Sequence, residues 1–261
     1  MPDRTTTTTT TTVVKIGGST LGSQDTSLHD VVALHREGLR PVVVHGGGAM
    51  ITDWLGKMEI ESTFVDGLRS TSEDAIRVVV GVLRGVVNTQ LVAEIVGLGG
   101  NAVGVSGVDG GAVKARRYDG RLGYVGEVTE VDATFIESLL EAGVIPVIAP
   151  IGLEAPSQPL NINADTVAGE VARALRADSL VFLTDVDGLL DASKTLITEV
   201  SPARAAELRA DGVLSGGMIP KLDACFRAAE VGVRAFIANG TQPATLRRIA
   251  SGEAVGTRIT E

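Results

Sequence analysis

At 261 residues the chain is long enough for one large α/β domain or two closely packed lobes. Its net charge of −9 excludes the basic surface that nonspecific nucleic-acid binding requires, and a single cysteine, Cys225, excludes an internal disulfide and fits a cytoplasmic setting. Apolar residues are 44% of the chain and aromatics only 3%, so the core must be Val, Leu, Ile and Ala, as in buried parallel strands under Ala-rich helices.

Thr5 to Thr12 either prolongs a first strand, since Thr favours extended backbone, or forms a tail; it receives no function. Residues 13–16 read as a strand running into Gly17-Gly18, and a helix over 28–36 follows, with Leu28, Val31, Val32, Leu34 and His35 spaced for one face. Pro41 opens a strand over 42–44 that ends at His45-Gly46-Gly47-Gly48, ahead of a helix over 49–57. Asp66-Gly67 centres a hairpin over 64–69. Thr71-Ser72-Glu73-Asp74 then starts a long helix to residue 96, the acid three positions after Thr71 completing a cap.

Short strands are expected over 102–105, 112–116 and 124–131, a helix over 133–141 and a strand over 144–148. Asn163 caps a helix to residue 175, whose Val167, Val171 and Leu175 are four apart. A strand over 179–183 ends at Thr184-Asp185, and Ser201-Pro202 has the form of a cap followed by a first-turn proline. A helix over 220–231 and a strand over 235–238 follow. No apolar run reaches the roughly 18 residues a membrane span needs, and the N-terminus lacks a signal-peptide pattern. There is no internal repeat and no linker, so any two lobes should share one sheet. Alternating strand and helix predicts a mostly parallel sheet with helices on both faces, whose ligands bind beyond the carboxyl ends of its strands.

Both glycine clusters fall at such ends. Glycine there lets the backbone approach a ligand and aims N–H groups at an anion; the bland alternative is a tight turn. No segment matches a Walker A loop, and Gly97-Leu98-Gly99-Gly100-Asn101-Ala102 has a dinucleotide-like spacing in the wrong order, helix before strand. Asn161-Ile162-Asn163-Ala164-Asp165 sets three short polar side chains at a helix start, more than capping needs. Ser215-Gly216-Gly217-Met218-Ile219-Pro220-Lys221 feeds a helix with a lysine against its dipole, a conflict that a bound anion resolves. His45 and Trp54 read as packing or hydrogen-bonding residues, and no cluster has metal-cage spacing.

Lys15-x-Gly-Gly, His45-Gly-Gly-Gly48, Gly67-Leu-Arg69, Asn161-x-Asn-Ala-Asp165 and Gly217-Met-x-x-Lys221, taken in this order, resemble the N-acetylglutamate kinase family of the amino-acid kinase superfamily. The likeness runs from Val13 to Thr260. It implies a three-layer α/β/α sandwich with a mainly parallel central sheet. An N-terminal lobe, 1–175, would hold the amino-acid substrate and the dimer contact, and a C-terminal lobe, 176–261, would hold ATP. By position, Lys15 and Lys221 would stabilise the transferring phosphoryl group and Asp165 would hold both. Gly17 and Gly18 would face the ATP phosphates, and Gly47 and Gly48 the acceptor. Arg69, assisted by Asn161, would grip the α-carboxylate of N-acetyl-L-glutamate. Asp185, Val186, Asp187, Gly188, Leu189 and Leu190, with Val213, Leu214 and Ser215, would border the nucleotide, which would carry Mg2+.

Val108 stands where many relatives carry Lys, and Tyr124 where some carry His; neither falls among these roles. Arginine-inhibited members place an extra helix before the first strand, and the segment 239–256 lacks their arginine-sensing pattern, so the resemblance implies an arginine-insensitive homodimer. A sister kinase acting on carrier-protein-bound α-aminoadipate, aspartokinase, and a non-catalytic metabolite sensor on the same fold are the alternatives. Lys15, Asp165 and Lys221 together argue against the sensor, and the lack of a regulatory domain against aspartokinase.

Overall fold

The computed structural model describes residues 10–17, 26–65, 67–214 and 216–260. In chain order the elements begin β1 (Thr11–Ile16), α1 (Ser27–Arg36), β2 (Arg40–His45), α2 (Gly48–Lys57), and the hairpin β3 (Phe64–Val65) and β4 (Leu68–Arg69). Next come α3 (Glu73–Val80), a π-helical segment (Gly81–Val87), α4 (Asn88–Gly97), β5 (Ala102–Ser106), β6 (Val113–Arg117), β7 (Gly126–Val131), α5 (Ala133–Glu141) and β8 (Ile145–Ala149). A second hairpin, β9 (Ile151–Glu154) and β10 (Gln158–Asn161), leads to α6 (Ala164–Ala174) and β11 (Ser179–Thr184). The chain ends with β12 (Leu189–Leu190), β13 (Leu196–Ile197), β14 (Glu199–Val200), α7 (Pro202–Ala210), α8 (Met218–Ala229), β15 (Arg234–Asn239), α9 (Thr245–Ala250) and β16 (Thr257–Ile259).

The central sheet has eight strands in the order β14-β16-β15-β11-β1-β2-β8-β5. Its pairs are parallel except β15 with β16. Strands from both ends of the chain thus share one sheet, joined where β1 pairs with β11. β1 lies between β11 and β2, so the connections leave it in opposite directions and open a crevice at its carboxyl end. A smaller sheet, β10-β9-β6-β7, flanks the first half.

The strands are apolar on both faces because helices cover both. Alternation along β1 sends Val13 to one side and Val14 and Ile16 to the other. On the first side lie α5, α6, α7 and α8, through residues such as Ile136, Val171, Leu208 and Leu222. On the second lie α1, α2, α3, α4 and α9, through Val31, Leu55, Val79, Ile95 and Ile249. Lys15 shares the Val13 side, which places its ammonium toward α6 and α8.

The expected elements are present, with two differences in the long helix. Ser72, not Thr71, caps α3: its side chain accepts from Ala75 N at 3.2 Å, while Thr71 donates to Arg69 O. The long helix continues through Gly97 but loosens into a π turn over Gly81–Val87. Taken together, Glu73–Gly97 is 25 residues long and apolar enough on average to cross a membrane. It is instead a core helix, since Ala75, Val79, Leu83, Leu91 and Ile95 pack on the sheet. Thr11 and Thr12 do prolong the first strand. Asp66, Gly18 and Ser215 and the first part of the Thr run lie outside the described residues.

Candidate active site

Asp165 stands in the first turn of α6, where the unpaired N–H groups and the helix dipole favour a carboxylate. Asn163 caps that helix as expected, accepting from Asp165 N at 2.8 Å and Thr166 N at 3.3 Å. The carboxylate is held between two ammonium groups. Lys15 Nζ, from the end of β1, forms an ion pair with Oδ1 at 2.8 Å. Lys221 Nζ, from the first turns of α8, donates to Oδ2 at 2.9 Å and to Gly217 O at 3.2 Å. Side-chain exposures of 8% for Lys15, 7% for Asp165 and 16% for Lys221 make this a desolvated triad open on the Lys221 side.

Burial lowers the pKa of Lys15 from its usual value, with Lys221 pushing the same way and Asp165 opposing both. The two cations would repel each other without the acid between them. The conflict between Lys221 and the dipole of α8 is resolved locally: the side chain curls back on Gly217 O and reaches the acid.

A cleft next to the triad is lined by Lys15, Gly47, Gly48, Arg69, Asn161 and Asp165. The structure thus brings together the residues expected for the acceptor side. Arg69 is fixed by Ser62 Oγ at 2.6 Å, Thr52 Oγ1 at 2.7 Å and Gly48 O at 3.0 Å, and its guanidinium lies 4.6 Å from the Phe64 ring centroid. Burial lowers its pKa, and a guanidinium nonetheless stays charged at neutral pH. Asn161 Nδ2 donates to Thr71 Oγ1 at 3.1 Å, and Thr71 donates to Arg69 O at 2.8 Å, so the two expected substrate residues are joined by one hydroxyl. Ser62, Thr52, Thr71 and the exposed Phe64 were not foreseen. Ser62, Phe64 and Thr71 lie close to the Gly67-Leu-Arg69 hairpin in sequence, whereas Thr52 lies in α2 with no such signal.

Of the residues expected at the nucleotide, those from 185 to 190 follow β11, whose neighbour in the sheet is β1. Asp185, Val186 and Asp187 are exposed there. Asn239 Nδ2 donates to Asp187 Oδ1 at 2.8 Å. Gly188 has φ +154° and sits against Thr257, leaving no room for a side chain. Leu189 N donates to Thr257 Oγ1 at 2.7 Å, and the side chains of Leu189 and Leu214 enter the core. Neither side chain is exposed at the surface. Leu190 and Val213 are half-buried, and Gly17 follows directly on β1.

Residues 10–239 match the model of the amino acid kinase family. The chain belongs to the amino acid kinase family. Within that family it is 44% identical to the acetylglutamate kinase of Novosphingobium aromaticivorans, over 95% of this chain and 89% of the relative. It is 46% identical to the acetylglutamate kinase of Synechococcus elongatus, over 95% of this chain and 85% of the relative. Among solved structures, a Streptococcus mutans UA159 protein superposes with a TM-score of 0.84 at 29% identity, covering 96% of this chain and 98% of that one. The α/β/α layering and the parallel sheet described above are those of this family of kinases, and ATP is their phosphoryl donor.

Proposed function

We propose that the protein transfers the γ-phosphoryl group of ATP to the γ-carboxylate of N-acetyl-L-glutamate, forming N-acetylglutamyl 5-phosphate in arginine biosynthesis. The observation that carries this reading is Asp165 bridging Lys15 and Lys221 at the mouth of the Arg69 cleft. The acceptor would lie with its α-carboxylate toward Arg69 and Asn161 and its γ-carboxylate toward Lys15 and the N–H groups of Gly47 and Gly48. ATP would reach the other side of the triad from Gly17, Gly18, residues 185–190 and residues 213–215.

A side-chain carboxylate with a pKa of about 4.3 is already ionised at neutral pH, so the reaction needs no general base. His45, beside the glycines, is hydrogen-bonded at both ring nitrogens and has its pKa lowered to about 4 by burial, so it is not poised to serve as one. The obstacle is the approach of one anion to another. Lys15 and Lys221 offset the charge that spreads over the transferring oxygens, and Asp165 keeps both ammonium groups at fixed positions through the reaction. Both oxygens of Asp165 are taken by lysines, and no group of three or more His, Cys, Asp or Glu among the described residues is arranged to hold a metal. Mg2+ would arrive on the nucleotide, where it would neutralise phosphate charge.

The reading extends to a cytoplasmic homodimer whose N-terminal lobe, 1–175, holds the acceptor and whose C-terminal lobe, 176–261, holds ATP. The partly buried Val78, Val80 and Val92 on the long helix are the candidate dimer contact. The test is ATP-dependent formation of a hydroxamate from free N-acetylglutamate. Activity only with a carrier-bound α-aminoadipate would support the sister kinase instead, and binding without turnover would support a sensor.

A further inference from the structure

His45 closes β2 immediately before the acceptor-side glycines and is fully buried. Its Nδ1 lies 2.8 Å from Gly46 O, which can only accept, so Nδ1 carries the proton. Nε2 then presents a lone pair, and Asn88 Nδ2 donates to it at 3.0 Å. The second amide hydrogen of Asn88 goes to Val147 O at 2.8 Å, and its Oδ1 accepts from Arg84 Nη1 at 3.3 Å. Arg84 in turn donates to Gly104 O at 2.7 Å and lies 3.6 Å from Asp109. Every polar atom of the Asn88 amide is thus engaged, with one orientation that satisfies them all.

The π turn explains how one helix reaches this point twice. In an α-helix, residues five apart lie about 140° apart around the axis. The π register of Gly81–Val87 brings such residues closer to one side. Leu83 meets Gly47, where an added Cβ would come within 2.7 Å of Leu83 Cδ2, and Asn88 meets His45. In a planar trans peptide, C=O and N–H point in opposite directions. Holding Gly46 O on His45, on the side of the sheet covered by α3 and α4, turns Gly47 N–H to the other side. That side carries Lys15 and Asp165.

We propose that Asn88 and His45 are positioning residues that lock the Gly46–Gly47 peptide so that Gly47 N–H is aimed at the anion in the cleft. The proposal rests on the kinase reading of that cleft. His45 does not exchange a proton with substrate; it acts as a neutral relay of orientation, kept neutral by burial and by the nearby charges of Arg84 and Lys15.

The test has a spectroscopic and a kinetic arm. Imidazole 15N shifts of the wild type should show His45 neutral with its proton on Nδ1 from pH 5.5 to 8. An Nε2–H tautomer, or a titration near the ordinary histidine value, overturns the proposal whatever the substrate proves to be. In the kinetic arm, Asn88→Leu should lower kcat/KM for the acceptor by at least about tenfold with the KM for ATP unchanged. Asn88→Asp keeps the shape but can only accept, so it draws a proton onto Nε2. Its His45 then keeps the Gly46 contact only as imidazolium, and acceptor kcat/KM should fall as pH rises through the raised His45 pKa. An Asn88→Asp enzyme with wild-type acceptor kcat/KM at every pH overturns the proposal. A wild type that shows the Nδ1–H tautomer but turns over no N-acetylglutamate contradicts the substrate reading and leaves the locked peptide standing.

Discussion

Asp165 does two jobs with one carboxylate. It neutralises a buried and a partly buried cation, and it fixes the spacing between them, each of its oxygens meeting one ammonium. Lys221→Ala should lower kcat by about 10²–10³, or roughly 3 kcal/mol or more, as for loss of a donor to developing charge. Thermal unfolding should move little, because Lys221 is the most exposed member of the triad. Asp165→Asn has a pH signature. Asp165 raises the pKa of Lys15, while burial and Lys221 lower it. Removing the negative charge therefore lowers it further, and the alkaline loss of activity that follows Lys15 deprotonation should move to lower pH. A rate profile in which that limb stays in place or moves up would contradict this role. Lys15 and Lys221 were legible because each stands by glycines, and Lys221 because a cation in the first turns of a helix is out of place. Thr52, Ser62 and Thr71 were not legible. Hydroxyl residues are common on loops and exposed helix faces, and only the folding of the β3–β4 hairpin back onto α2 turns these three into supports for Arg69 and Asn161.

At the scale of elements, the helix running from Glu73 to Gly97 links the acceptor cleft to the core. Its start depends on Ser72, so Ser72→Ala should cost about 1 kcal/mol, a drop of about 2–4 °C in a calorimetric Tm for a protein of this size. Leu83→Ala removes a fully buried side chain that also packs on Gly47. It should cost about 2–5 kcal/mol in denaturant unfolding and weaken acceptor binding as well. The long helix was legible from the start signal at Thr71-Ser72-Glu73-Asp74; the π turn inside it was not, since one extra residue per turn barely alters the side-chain pattern. The β1, β2, β8 and β11 strands stood out because burial on both faces makes them continuous apolar runs. The β9–β10 hairpin, β12, β13, β14 and β16 did not, being two to four residues long and defined by their partners. α9 escaped for a related reason. It is six residues long, and its entry residue Ala244 is in the left-handed region without a side-chain cap. Its first turn is instead capped from a distance by Asp30 of α1, which accepts from Leu246 N at 2.9 Å.

At the scale of the molecule, the site lies where β1 joins the two halves of the sheet, so each half supplies one lysine: Lys15 from β1 and Lys221 from α8. Asp165, on α6, spans them. Such a layout requires both halves to be folded together, which one continuous sheet provides. The proposed homodimer should elute from a calibrated sizing column at twice the 26.9 kDa chain mass, and a monomeric mass would remove the long helix as an interface. The chemistry itself is tested most directly by oxygen tracing. N-acetylglutamate labelled with 18O in its γ-carboxylate, turned over with unlabelled ATP and trapped with hydroxylamine, should release inorganic phosphate carrying one 18O, because the carboxylate oxygen becomes the bridge to phosphorus and leaves with it. Unlabelled phosphate alongside hydroxamate formation, or no ATP-dependent hydroxamate at all, would contradict phosphoryl transfer to that carboxylate.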